Sequence, residues 1–139
     1  MLSMRMVACG VLIMCGQVAW AEDAAPVEAA PMDTSEVDAA MLKDFFGRWD
    51  IVDATGKKHC PVVLKPDDTI GGQEIEVSAR CIKLFPVLGE ITAWRLMEGW
   101  GINLVDAERK TRIRFFTPDE RYIADPETDG IAGIEQHTQ

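Results

Sequence analysis

Histidine is scarce in this chain: His59, beside Cys60, and His137, in a polar tail, are the two it has. With so few imidazoles no Ser-His-Asp or Cys-His set stands out, and no His/Cys cluster has the spacing of a zinc site. A glycine-rich phosphate loop between a strand and a helix is missing too, and Asp67-Asp68 reads as turn chemistry. No enzymatic activity, catalytic group, resident metal or cofactor is therefore expected. Basic charge is also in deficit, with 14 Lys and Arg against 23 Asp and Glu and a formal net charge of −9. Such a surface repels phosphate backbones and anionic bilayers, so nucleic acid and membrane surfaces are poor partners.

Long apolar runs are lacking as well. The longest, Met6–Gly16, is too short to span a bilayer. It follows Arg5 and precedes Ala19-Trp20-Ala21, which has the charged region, apolar region and small-residue cleavage site of a secretory signal. Residues 1–21 are thus expected to be a signal peptide. The mature chain would start at Glu22, exported to a periplasm and free of membrane insertion after cleavage. Cleavage removes Cys9 and Cys15 and leaves Cys60 and Cys81 in an oxidising compartment, where one pairing is open to them. That bridge would contribute about 3 kcal/mol by restricting the unfolded chain.

Residues 22–34 are mainly Ala, Pro, Glu and Asp without hydrophobic period, which predicts a flexible acidic leader. Order is expected near Ser35, where Ser35-Glu36-Val37-Asp38 can cap a helix. Val37, Met41, Leu42, Phe45 and Phe46 then recur at helical spacing, which predicts an amphipathic helix over 35–46, stopped by Gly47 and packed on something larger.

After Gly47 the period becomes strand-like. Strands are expected near Arg48–Val52, His59–Leu64, Gln73–Ser78, Ile91–Leu96, Gly101–Val105, Thr111–Phe116 and Arg121–Ala124. Turn signals separate them at Asp53–Gly56, Pro66–Asp68, Gly71-Gly72, Phe85-Pro86, Met97–Gly99, Asp106–Glu108, Pro118-Asp119 and Asp125-Pro126. Short strands with tight connections and no helical crossovers indicate one all-β domain over 35–139. The expected architecture is a small antiparallel up-and-down barrel of about eight strands. In the tail, Ile131 and Ile134 either close the last strand or fray.

Gly47-Arg48-Trp49, opening the first strand after a helix, resembles the Gly-x-Trp start of lipocalin-like (calycin) barrels. Glycine lets the entering chain turn tightly, and an inward Trp plugs one barrel end. Further along come Cys60, Val62-Val63-Leu64, Cys81, Ala93-Trp94-Arg95, Gly101–Leu104, Arg114-Phe115-Phe116 and Tyr122. This order and spacing resemble the Inh/alkaline proteinase inhibitor family, small periplasmic inhibitors of secreted zinc metalloproteases of the serralysin type. The resemblance covers roughly residues 35–124 and rests on these features together.

It implies an eight-stranded barrel, a Cys60–Cys81 disulfide and an inhibitory trunk ahead of the first strand. The trunk, at Ser35, Glu36, Val37, Asp38 and Ala39, would enter the protease cleft, its first residues near the catalytic zinc. The implied partner is a serralysin-type metalloprotease, bound by a monomer. Trp94, Trp100, Phe115 and Phe116 are first of all barrel filling. Trp94, Arg95 and Trp100 are also the candidates for contact with the enzyme. Arg95, Arg112, Arg114 and Arg121 could form one basic patch on outward positions, or be ordinary solvated charges.

The chain departs from the family pattern where residues 22–34 precede the trunk and displace the free amine. Trimming near Ser35, an anionic group from Glu36 or Asp38, and loss of inhibition all remain open. Two rivals share the fold: a calycin-like carrier of a small apolar ligand, and an envelope interaction protein without inhibitory activity.

Overall fold

The computed structural model describes residues 29–137; the expected signal segment 1–21 and residues 22–28 of the leader lie outside the described residues. Eight strands follow in order: β1 (Gly47–Asp53), β2 (His59–Thr69), β3 (Gly72–Val77), β4 (Ile91–Leu96), β5 (Ile102–Asp106), β6 (Thr111–Phe116), β7 (Tyr122–Thr128) and β8 (Ile131–Gln136). Each pairs antiparallel with the next, and β8 returns to β1, closing the expected up-and-down barrel. Period-2 alternation sets the register: Trp49 and Ile51 of β1 lie opposite Val62 and Cys60 of β2, and Ile51 lies opposite Ile134 of β8.

The inward positions carry Trp49, Ile51, Val62, Leu64, Trp94, Leu96, Ile102, Leu104, Ile113, Phe115, Ile131 and Ile134, all buried and joined in one cluster. Those side chains occupy the barrel interior, where a carrier of apolar ligands would need space. Gly47 takes φ +113°, the left-handed region its missing Cβ permits, at the corner before Trp49.

Helical structure differs from expectation in two places. The single helix expected over 35–46 is two pieces: a 3-10 turn at Thr34–Glu36 and α1 (Ala39–Lys43), separated by Val37 in an extended conformation. Short acidic side chains break it. Asp33 accepts the Ser35 N–H, and Asp38 accepts the Ala40 N–H at 2.7 Å, so each starts its own turn. The second difference is α2 (Ala79–Leu84), with a 3-10 turn at Pro86–Glu90, lying between β3 and β4 where only a break was expected. Ser78, expected to end β3, instead caps α2 by accepting the Cys81 N–H at 3.3 Å. The Cys60–Cys81 disulfide, with Cα atoms 5.4 Å apart, ties α2 to β2.

Two expected turns lie inside strands. Pro66–Asp68 belongs to β2 and Asp125-Pro126 to β7, each in a stretch where the register shifts and regular pairing is skipped. A proline, which has no N–H, is tolerated at such irregularities. Ile131 and Ile134, whose role was open, are fully buried in β8. The β7–β8 hairpin turns at Asp129-Gly130, both at positive φ, the dipeptide such a turn requires.

Antiparallel order fixes the two ends of the barrel. One end carries the entry to β1, the β2–β3, β4–β5 and β6–β7 connections and the end of β8; the other carries α2 and the β1–β2, β5–β6 and β7–β8 connections.

Candidate functional site

At the end where β1 begins, residues 33–44 form a loop attached on both sides. Its downstream attachment is aromatic. Phe45 stacks on Trp100 with ring centroids 5.6 Å apart and 6° between planes, and lies 6.4 Å from the Trp49 ring. The Trp49 indole N–H donates to the Phe45 carbonyl at 2.9 Å, so the plugging Trp also holds the chain entering the barrel. Tyr122 meets Trp49 edge-on at 5.5 Å and its hydroxyl donates to the Trp100 carbonyl at 2.8 Å. Partial burial raises the Tyr122 phenol above its ordinary pKa. Phe46 meets Trp94 edge-on at 6.1 Å.

The upstream attachment is backbone pairing. Pro31 forms an antiparallel bridge with Met97, just past β4. The Met32 N–H donates to the Leu96 carbonyl at 2.9 Å and the Glu98 N–H to the Ala30 carbonyl at 2.8 Å. Order expected to begin near Ser35 therefore extends upstream to Ala30, because a leader segment supplies backbone groups to the exposed end of β4.

Within the loop, Asp33 accepts from both the hydroxyl and the N–H of Ser35, which holds its carboxyl below the usual carboxylate range. Leu42 N–H donates to the Asp38 carbonyl at 3.1 Å, completing the turn of α1. Of the residues expected in the trunk, Ser35, Glu36, Asp38 and Ala39 are exposed and Val37 is half-buried.

The expected contact residues separate. Trp94 is 1 % exposed and its indole N–H donates to the Lys65 carbonyl at 3.0 Å, so it is core and offers no surface to a partner. Arg95 and Trp100 are half-buried and lie at the loop end. Arg95 donates to the Gly71 carbonyl and borders a groove with Pro31, Met32 and Thr34. Phe115 is buried and Phe116 is exposed.

The four arginines do not make one patch. Arg112 pairs with Glu90 at 2.6 Å and Asp106 at 3.5 Å, and Arg121 with Asp119 inside the β6–β7 loop. Arg95 and Arg114 instead share a groove with Arg109 and Lys110. Among the described residues no group of three or more His, Cys, Asp or Glu is placed to hold a metal, and no helix is long and apolar enough to cross a membrane.

Sequence reasoning passed over Pro31, Met32 and Met97 as site residues. The pairing joins two segments far apart in sequence, and an Ala/Pro stretch carries no periodic signal. Tyr122 was visible as part of a strand, its bond to Trp100 was not.

The eight-stranded barrel with its buried core thus carries an exposed peptide attached on both sides at one end. Residues 39–132, about two thirds of the chain, match the family model described as Protease inhibitor Inh. The chain belongs to this family of protease inhibitors. The match runs from Ala39 to Ala132, so it spans α1, β1–β7 and the first two residues of β8, while Asp33–Asp38 precede it. No curated protein and no solved structure matches the chain.

Proposed function

We propose that this chain is an exported inhibitor of secreted zinc metalloproteases of the serralysin type, acting as a monomer whose loop 33–44 fills the protease cleft. The observation that carries the reading is the loop's double attachment. Pairing at Pro31–Met97 and stacking at Phe45–Trp100 order an exposed peptide before any partner arrives. Less conformational entropy is then lost on binding, which is how a short segment reaches useful affinity. Arg95 and Trp100 flank the loop and are the barrel residues best placed to touch the enzyme's rim. The pattern of residues 1–21 supports export to a periplasm, and the Cys60–Cys81 bridge suits that oxidising compartment.

The test is a titration of the chain starting at Glu22 into a fixed concentration of a serralysin-type protease, with a serine protease in parallel. Activity of the metalloprotease should fall to zero at equimolar inhibitor, and the serine protease should be untouched. Full metalloprotease activity at a large excess of the chain, or equal inhibition of both enzymes, would overturn the proposal.

A further inference from the structure

We infer that the basic groove on the outer face of β4, β5 and β6 is the seat of the chain's own acidic leader, residues 22–28, held there by charge. The outer face of β5 carries the first half. Arg95 of β4, Asn103 of β5 and Arg114 of β6 are cross-strand neighbours on outward positions, since the residues next to them along each strand are core. β5 is nevertheless buried at all five of its positions, Asn103 to 1 % exposure. An outward strand face is wet unless something lies on it. Over Val105 the β2–β3 turn does so: a Cβ at Gly71 would stand 3.4 Å from Val105 Cγ2. Beside the row from Arg95 to Arg114 runs the upstream chain, with Ala29 and Pro31 lining a groove together with both arginines, Arg109 and Lys110.

Charge carries the second half. Four of the chain's 14 Lys and Arg line this one groove and no Asp or Glu does, in a chain of net charge −9. Arg95 and Arg109 form no ion pair among the described residues, and Lys110 pairs with Glu108, both exposed. Residues 22–28, outside the described residues, join the groove directly at Ala29 and carry Glu22, Asp23 and Glu28 without a Lys or Arg. Extended, they reach about 23 Å, against roughly 10 Å across the strands from Arg95 to Arg114. So short a tether gives them an effective concentration of about millimolar order, which a free anion must match to compete. The leader is then a cover over a cationic surface beside loop 33–44, and trimming it exposes that surface.

The test uses the chain starting at Glu22 with a nitroxide on its amino group. At about 0.05 M salt the label should broaden the backbone amide signals of Arg109, Lys110 and Arg114, and at about 0.5 M the broadening should fade as the charges are screened. Asp23→Asn with Glu28→Gln should relieve it at low salt, Arg109→Asn with Lys110→Gln should do the same, and the four together should add nothing further. A chain starting at Ala29 should bind an oligoglutamate peptide about tenfold more tightly than the chain starting at Glu22. No broadening at these amides, broadening that ignores salt and both pairs of substitutions, or equal peptide affinity of the two chains would overturn the inference. No protease enters these measurements, so the inference and the inhibitory reading fail separately.

Discussion

The Tyr122 hydroxyl donates to the backbone carbonyl of Trp100 at 2.8 Å, joining the start of β7 to the β4–β5 connection. Trp100 is a bulky residue at φ +67°, a conformation that must be held by its surroundings, and its ring is the platform on which Phe45 stacks. One hydrogen bond in the barrel thus supports the residue that supports the loop. Tyr122→Phe keeps the edge-on packing against Trp49 and removes the bond, so it should cost about 1 kcal/mol in urea unfolding. Amide exchange in residues 39–46 should speed up more than exchange in β2.

The same residue sets an alkaline limit. Tyr122 has a raised phenol pKa because burial disfavours the phenolate. The folded state therefore holds its proton more tightly than the unfolded chain. This contribution is fully present below the ordinary phenol value of about 10 and is lost as pH rises from there through the higher folded value. Stability measured across that window should decline in the wild type and more gently in Tyr122→Phe. Equal slopes would contradict the assignment.

Asp106 sets an acid limit at the other end of the barrel. Its carboxylate accepts the Lys110 and Glu108 N–H groups, each at 2.9 Å, and faces Arg112, which also pairs with Glu90. The backbone bond from Lys110 is the main cause that holds its pKa below the usual carboxylate range. A lowered folded pKa stabilises above the unfolded value and is lost as pH falls through the folded one. Asp106→Asn should flatten the acid side of the stability profile, measured by thermal melts from pH 6 downward.

Two glycines give contrasting predictions. A Cβ at Gly47 would meet no heavy atom within 4 Å, so Gly47→Ala strains only the backbone at φ +113° and should cost roughly 1–3 kcal/mol. A Cβ at Gly133 would stand 2.5 Å from the Tyr122 carbonyl oxygen, inside the β7–β8 ladder. Gly133→Ala should therefore be the more damaging, by urea midpoint, because backbone must move.

These positions also show what could be read from sequence. Strand alternation around Trp49, Ile113 and Phe115 is strong because one face of each strand is buried and the other wet, so β1 and β6 and the closed barrel were legible. β8 stayed open because Gly133 interrupts the apolar run and the Asp129-Gly130 dipeptide was passed over as a turn. α2 was hidden, since six residues around Cys81 have too little period, and the Ser78 cap and the disulfide fix it in three dimensions. In the site, Phe45 and Phe46 were legible as an apolar face. The Pro31–Met97 bridge was not, because it is made by backbone groups whose partners no side-chain pattern announces.

Cleaving the Cys60–Cys81 bond separates fold from function. Cys60→Ser with Cys81→Ser should lower stability by about 3 kcal/mol through a freer unfolded chain. The bond ties α2, at the end away from the loop, so inhibition by the fraction still folded should be unchanged. A fall in inhibition larger than the fall in folded fraction would contradict this division.

The most direct test of the central claim, that residues 33–44 are the surface a protease meets, is hydrogen exchange of the chain alone and bound to a serralysin-type metalloprotease. The account predicts new protection in residues 33–44 and in the β4–β5 connection around Trp100, with exchange in α2 unchanged. Protection centred on α2, with the loop exchanging as freely as before, would contradict it.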